Sequence, residues 1–205
     1  MNAIDPHHPA SIDDHAWLKI LAKYRTPHRG RSALELALTA IPFVVLWVLS
    51  WLSVHYEFWW GLALTIPAAG FLLRLFMIQH DCGHGSFFAH RHADDWIGRT
   101  IGVLTLTPYD YWRRTHAEHH ASAGNLDKRG DGEITTLTVA ESRALPRWRR
   151  IAYRLYRHPI VMFGLGPIWV FLLKQRLPFG LMQAGAAPWI STMATNLAIA
   201  AAVAT

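Results

Sequence analysis

Two short segments carry the residues best suited to chemistry: His80-Asp81-Cys82-Gly83-His84 and His116-Ala117-Glu118-His119-His120. In a helix, residues three and four apart lie on one face, so His80 can point with His84, and His116 with His119 and His120. A single turn of chain between the segments would bring five imidazoles together. Neutral imidazole is the commonest protein ligand for iron, copper and zinc, which makes a metal site the leading expectation. One HxxxH spacing means little in a chain with 13 histidines. Two clusters, each directly after an apolar or amphipathic segment, mean considerably more. The order His-Ala-Glu-His-His does not place Glu directly after the first His, so the HExxH pattern of a zinc hydrolase is excluded on spacing. All-imidazole clusters with no carboxylate set as a base beside an open zinc position favour a redox metal and oxygen chemistry over hydrolysis. Asp81 and Glu118, inside the clusters, are expected to accept ring N–H bonds and so hold the histidine tautomers.

The elements that must position these residues read as membrane spans. Ala33 to Val54 is apolar apart from Glu35, and Phe58 to Ile78 apart from Arg74. Each has about the 20 residues needed to cross a hydrocarbon core. Only His55-Tyr56-Glu57 separates them, with Trp51, Trp59 and Trp60 alongside, as expected of a tight hairpin whose tip sits in an aromatic interface belt. That tip has no Lys or Arg, so the positive-inside rule puts the N-terminal tail and His80 on the cytoplasmic side. Pro42 and Pro67 are expected to kink their helices. Arg74 is expected to snorkel toward the interface. The composition agrees: 52% of residues are hydrophobic, ten are Trp and only 17% are charged. The net charge of +6 comes without any nucleic-acid-binding pattern, so basic flanks touching anionic lipid account for it better. Cys82 is the one cysteine, which rules out an intrachain disulfide and a Cys-based zinc module. No signal-peptide pattern precedes the first span, which is expected to direct insertion itself.

Residues 1–32 read as a hydrophilic cytoplasmic tail, with His7 and His8 as solvated residues. Gln79 to Arg157 holds twelve of the twenty Lys and Arg and reads as the cytoplasmic region. Within it, Ile97, Ile101 and Leu104 form one helical face, expected to lie on the membrane or under the metal site. Thr107-Pro108-Tyr109-Asp110 breaks that run, Asn125 to Glu133 is a loop, and Thr138 with Glu141 has the spacing of a capping box. Pro146 opens a helix in which Trp148, Ile151 and Leu155 share a face while Arg147, Arg149, Arg150, Arg154 and Arg157 crowd the rest. It reads as an interfacial anchor or a docking face for an acidic electron-transfer partner. His90, His92 and His158 are expected at the surface. Ile160 to Leu173 is short for a span and imperfect because of Gly164, Gly166 and Pro167. After the turn Pro178-Phe179-Gly180, Ala184 to Thr205 is long enough for another. The expected fold is therefore all-α, an integral membrane helical bundle of about four transmembrane helices with a cytoplasmic histidine-box domain.

The run His80-Asp81-Cys82-Gly83-His84-Gly85-Ser86-Phe87-Phe88, followed by Trp112-Arg113-Arg114-Thr115-His116-Ala117-Glu118-His119-His120, resembles the first two histidine boxes of the membrane fatty acid desaturases, most of all the bacterial and plant methyl-end group. The likeness runs from about Phe58 onward. It implies a non-haem centre of two iron ions with His80, His84, His116, His119 and His120 among the ligands. Dioxygen would be the co-substrate, a fatty acyl chain of a membrane lipid the substrate, and a ferredoxin or small haem protein the electron donor. It also implies a bacterial plasma-membrane location and a domain covering residues 33–205. A lipid or carotenoid hydroxylase or ketolase of the same superfamily, and a non-catalytic metal-binding remnant, are the alternatives. The family carries a third HxxHH box after the fourth span, which these residues do not reach. A C-terminally incomplete and inactive chain is therefore expected.

Overall fold

A computed structural model describes residues 14–22, 26–128 and 134–204. His7, His8 and the end of the Asn125–Glu133 loop lie outside the described residues. Those that are described form helices and turns with no strand. After α1 (Asp14–Ala22), α2 runs from Arg29 to His55. It thus starts four residues before the apolar stretch, because His28 caps it: the His28 ring accepts a bond from the Arg31 N–H at 3.3 Å. At about 1.5 Å per residue, its 27 residues exceed the thickness of a hydrocarbon core.

The pattern on α2 is that of a helix surrounded by lipid. Leu38, Ile41, Val45 and Trp47 are exposed, while the small polar Thr39 and Ser50 are buried. Their hydroxyls donate to carbonyls one turn back, Thr39 to Glu35 at 2.7 Å and Ser50 to Leu46 at 2.8 Å, so no hydroxyl proton is stranded in an apolar phase. The chain then turns at Tyr56–Phe58, with Glu57 at φ 60. A short 3-10 segment, Trp59–Leu64, leads into α3 (Thr65–His84). The 3-10 segment approaches α2 so closely at Gly61 that a Cβ there would lie 2.0 Å from Ser53 Oγ. Pro42 lies inside α2. Pro67 does not interrupt α3. It falls in the first turn, where a missing N–H is tolerated.

α3 ends at His84, with Gly85 in the left-handed conformation (φ 68) that L side chains avoid. α4 (Arg91–Leu104) folds back along it and α5 (Tyr109–Ser122) follows. The core of the described chain sits where these meet: Leu75, Ile78 and Cys82 of α3, Phe87, Ile101 of α4 and Tyr109 of α5. Ile97 packs against that cluster as its face requires, whereas Leu104, the last residue of α4, is exposed. The break between α4 and α5 is centred on Thr105–Pro108, so Tyr109 and Asp110 belong to α5.

Beyond a single 3-10 turn at Leu126–Lys128, α6 (Val139–Ala144) begins with the expected capping box. Glu141 N–H donates to Thr138 Oγ1 at 3.2 Å, and Thr138 N–H to the Glu141 carboxylate at 2.7 Å. α7 (Arg147–Tyr156) starts directly after Pro146. Two wide π-helical stretches follow, Val161–Leu165 and Ile168–Leu173. Pro167 has no N–H to donate, and the Gly166 N–H reaches back five residues to the Val161 carbonyl, which sets the wide register. α8 (Ala186–Ala204) closes the described chain. Among the described residues, three helices are long and apolar enough to cross a membrane, or four if α7 and Val161–Arg176, bent by 59°, form one broken span.

Candidate metal centre

The two histidine segments occupy the last turns of α3 and of α5, and the fold brings those ends together. Tyr109, 1% exposed, donates its hydroxyl to the Cys82 carbonyl at 2.9 Å, tying the start of α5 to the first box. Its ring lies on Gly98 of α4, where a Cβ would stand 2.2 Å from Tyr109 Cε2. Asp95 gathers a second set of contacts, accepting from Arg113 at 2.7 Å and Tyr109 at 3.2 Å and pairing with Arg91 at 3.2 Å. Arg99 grips Asp110 with a two-pronged contact of 2.8 and 3.1 Å, and that carboxylate holds the guanidinium pKa above its ordinary value. Gln79, fully buried and next to His80, accepts from Thr105 Oγ1 at 2.6 Å and donates to the Thr107 carbonyl at 3.5 Å. Asp94, also fully buried, accepts the Phe88 N–H at 2.8 Å and so pins the loop that follows the first box. Burial raises the Asp94 carboxyl pKa.

The result is a cluster of His80, His84, His116 and His120 whose ligand nitrogens all lie within 4.8 Å of one another. The Nε2 atoms follow in sequence at 3.2 Å (His80–His84), 3.3 Å (His84–His116) and 3.0 Å (His116–His120). Metal–nitrogen bonds of about 2.0–2.1 Å imply edges of about 2.8–3.4 Å between neighbouring ligand atoms, and the three successive contacts have that spacing. His80 Nδ1 lies 3.1 Å from Asp81 Oδ1. A proton on Nδ1 shared with that carboxylate leaves the Nε2 lone pair directed into the cluster. Trp112, one turn before His116, stacks on its ring at 4.6 Å between centroids. Gly83 leaves room for that indole, since a Cβ there would lie 2.9 Å from Trp112 Cζ3.

The second box does not present all its members to one point. His119 is outside the four-nitrogen group, with its ring centroid 6.0 Å from that of His116. It lines an adjoining cleft instead. Glu118 is exposed and 3.8 Å from Arg114, one turn back, so the carboxylate expected to steady an imidazole is directed elsewhere. Helix geometry explains both placements: at about 100° per residue His120 falls about 40° from His116, whereas His119 falls about 60° to the other side and Glu118 nearly opposite. His90 stands just before α4 at the surface and contacts Arg29, and His92 and His158 are exposed.

Burial, and then the neighbouring histidines, lower the pKa of His116 from 6.5 to about 4. The neutral ring therefore favours the folded metal-free state above about pH 6.5, and that contribution is lost as the pH falls toward about 4. In thermal unfolding of the metal-free chain in detergent, acidification over this window should lower the midpoint more for the natural chain than for His116→Asn. Equal pH slopes would refute the assignment.

The cleft beside the cluster has a volume of about 650 Å³ and is predominantly apolar. His116, His119 and Trp112 form one end, and Phe76, Met162, Leu165, Trp169 and Phe171 line its walls. Phe76, one turn before His80, meets Trp112 and Phe171 edge to face, at 5.7 and 6.1 Å between centroids.

The profile of the fatty acid desaturase family matches residues 57–205. The fatty acid desaturase of Bacillus subtilis (strain 168) is 47% identical over 183 residues, which are 89% of this chain and 51% of that protein. The sn-1 acyl-lipid omega-3 desaturase (ferredoxin) of Synechocystis sp. is 47% identical over 53 residues, 26% of this chain and 15% of that protein. An endoplasmic-reticulum omega-3 fatty acid desaturase of Vigna radiata is 32% identical over 112 residues, 54% of this chain and 29% of that protein. The chain thus spans about half the length of its Bacillus relative. No solved structure matches it. With the profile covering most of the chain and both histidine boxes, the chain belongs to the fatty acid desaturase family.

Proposed function

We propose that this chain provides metal-binding and acyl-binding parts of a membrane desaturase that introduces a double bond into the acyl chain of a lipid. The observation that carries the reading is the junction of a four-imidazole cluster with an apolar cleft, His116 belonging to both. His80, His84, His116 and His120 would hold non-haem iron. Bound there, iron would supply the activation of dioxygen needed to remove two hydrogens from neighbouring methylenes. The family resemblance implies two irons. The converging nitrogens account for one position, and His119 faces the cleft side of the same helix.

The protein's own residues supply position. Asp81 holds the His80 tautomer, Trp112 fixes the plane of His116, and the walls of the cleft exclude water from an extended hydrocarbon chain. The charge-poor hairpin tip favours an orientation with the boxes on the cytoplasmic face of a bacterial plasma membrane. A small reduced carrier of the ferredoxin kind is the electron donor on this reading, as the name of the Synechocystis relative states for that protein.

Lipid profiling of a host expressing a chimera in which these residues replace the matching half of the Bacillus relative, with and without His116→Ala, tests the function. New double bonds that vanish in the variant support it. Hydroxyl or keto products would shift the assignment to oxygen insertion, and an unchanged lipid profile would contradict it. Met162→Trp, which fills the cleft away from the cluster, should lower product formation from long acyl chains by about tenfold or more and leave bound iron unchanged. Unchanged product formation would remove the cleft from the account.

A further inference from the structure

We propose that α7 is seated on the headgroups of anionic lipid in the same bilayer that holds the spans, and that the charge of that surface sets how deeply it sits. Its ten residues include no acidic group. Three faces can be told apart. Tyr153 and Tyr156 turn toward the protein, where their hydroxyls accept the N–H groups of Leu137 at 3.1 Å and Thr135 at 3.2 Å. Trp148, Ile151 and Leu155 form a stripe on another side and are 65%, 57% and 62% exposed. Arg147 and Arg154 border that stripe, Arg157 follows at the end, and Arg149, set on the tyrosine side of the helix, reaches its guanidinium over the Trp148 ring at 5.0 Å.

Among the described residues, Arg150 is the arginine of this helix that hydrogen-bonds within the protein, donating to the carbonyls of Arg143 and Leu145 at 2.9 and 3.1 Å. The other four arginines make no ion pair among the described residues. The tyrosines fix the roll of the helix, so the apolar stripe cannot turn inward.

What the stripe meets follows from the next segment. Val161–Arg176 leaves α7 at 59°, and Phe163, Leu165, Ile168 and Trp169 along it are exposed. An apolar segment of that kind belongs in lipid, and a helix bent sharply from it at the boundary lies along the surface. An apolar stripe bordered by cations at that depth is complementary to acyl chains below and phosphate groups beside it. A soluble acidic protein would engage the arginines but would leave Trp148, Ile151 and Leu155 without an apolar phase, so the lipid surface is the better match. The inference depends neither on iron nor on catalysis.

The test places a nitroxide on Ala152→Cys, at the edge of the stripe. Cys82 is fully buried and remains unlabelled. The full chain is reconstituted into bilayers of phosphatidylcholine alone or with one third phosphatidylglycerol, and collisions of the label with oxygen and with a water-soluble nickel reagent are compared. Phosphatidylglycerol should move the label into lipid, with the lipid-seated population growing about fivefold per engaged arginine. The combined variant R147Q, R149Q, R154Q and R157Q should lose that response. The same depth in both bilayers would overturn the proposal, even without the arginine variant. A label facing water in both would overturn it too, and would assign the surface to an acidic protein.

Discussion

Gly98→Ala is expected to destabilise the protein by about 1–3 kcal/mol, although alanine is intrinsically the better helix residue. The added Cβ would meet the Tyr109 ring at 2.2 to 2.6 Å. That ring cannot withdraw: it is 1% exposed, and its hydroxyl is held by the Cys82 carbonyl and by Asp95. Moving it would separate α5 from the end of α3, and with it His116 and His120 from His80 and His84. The matched control is Gly70→Ala in α3, where nothing lies within 4 Å of the new Cβ. There the helix preference acts alone and gives a stabilisation of up to about 1 kcal/mol. Thermal unfolding in detergent should therefore show shifts of opposite sign. A Gly98→Ala midpoint at or above that of the natural chain would refute the packing argument.

The larger effect on chemistry is expected from His116→Ala. His116 is the link in the cluster, with Nε2 within 3.3 Å of both His84 and His120, and its ring anchors the stack with Trp112. Removing it leaves three imidazoles, so iron retained through purification should fall by more than about tenfold. His92→Ala, at an exposed position outside the cluster, should retain iron at the natural level. Similar iron contents in all three proteins would mean that the metal is held elsewhere.

The residues that declare themselves in the sequence are those whose partners lie on the same element. His80 and His84, and His116 and His120, are four apart and meet as helix geometry requires. Thr138 and Glu141 form their capping box, and Pro146 opens α7, because these are local rules. Helix periodicity alone could not choose among three histidines in the second box. The rotation that brings His116 and His120 to His84 carries His119 toward the cleft and Glu118 toward Arg114.

What holds the boxes together was not legible for the same reason. Gln79 meets Thr105 and Thr107, Asp95 meets Arg113, and Tyr109 meets Cys82 across 18 to 28 residues of chain, and no spacing rule links such positions. Asp94 did carry a signal, an acidic residue in the first turn of the helix that follows the first box. Pro67 lies in the first turn of α3 and not mid-helix, because the 3-10 segment shifts the start of α3 to Thr65.

The central claim is that His80, His84, His116 and His120 hold non-haem iron. Iron K-edge X-ray absorption on the purified chain, grown with iron and freed of loosely bound metal, tests it most directly. The account predicts iron bound at not less than one ion per chain, with the multiple-scattering pattern of several imidazole ligands. Absence of bound iron, or an iron spectrum without imidazole scattering, would contradict it.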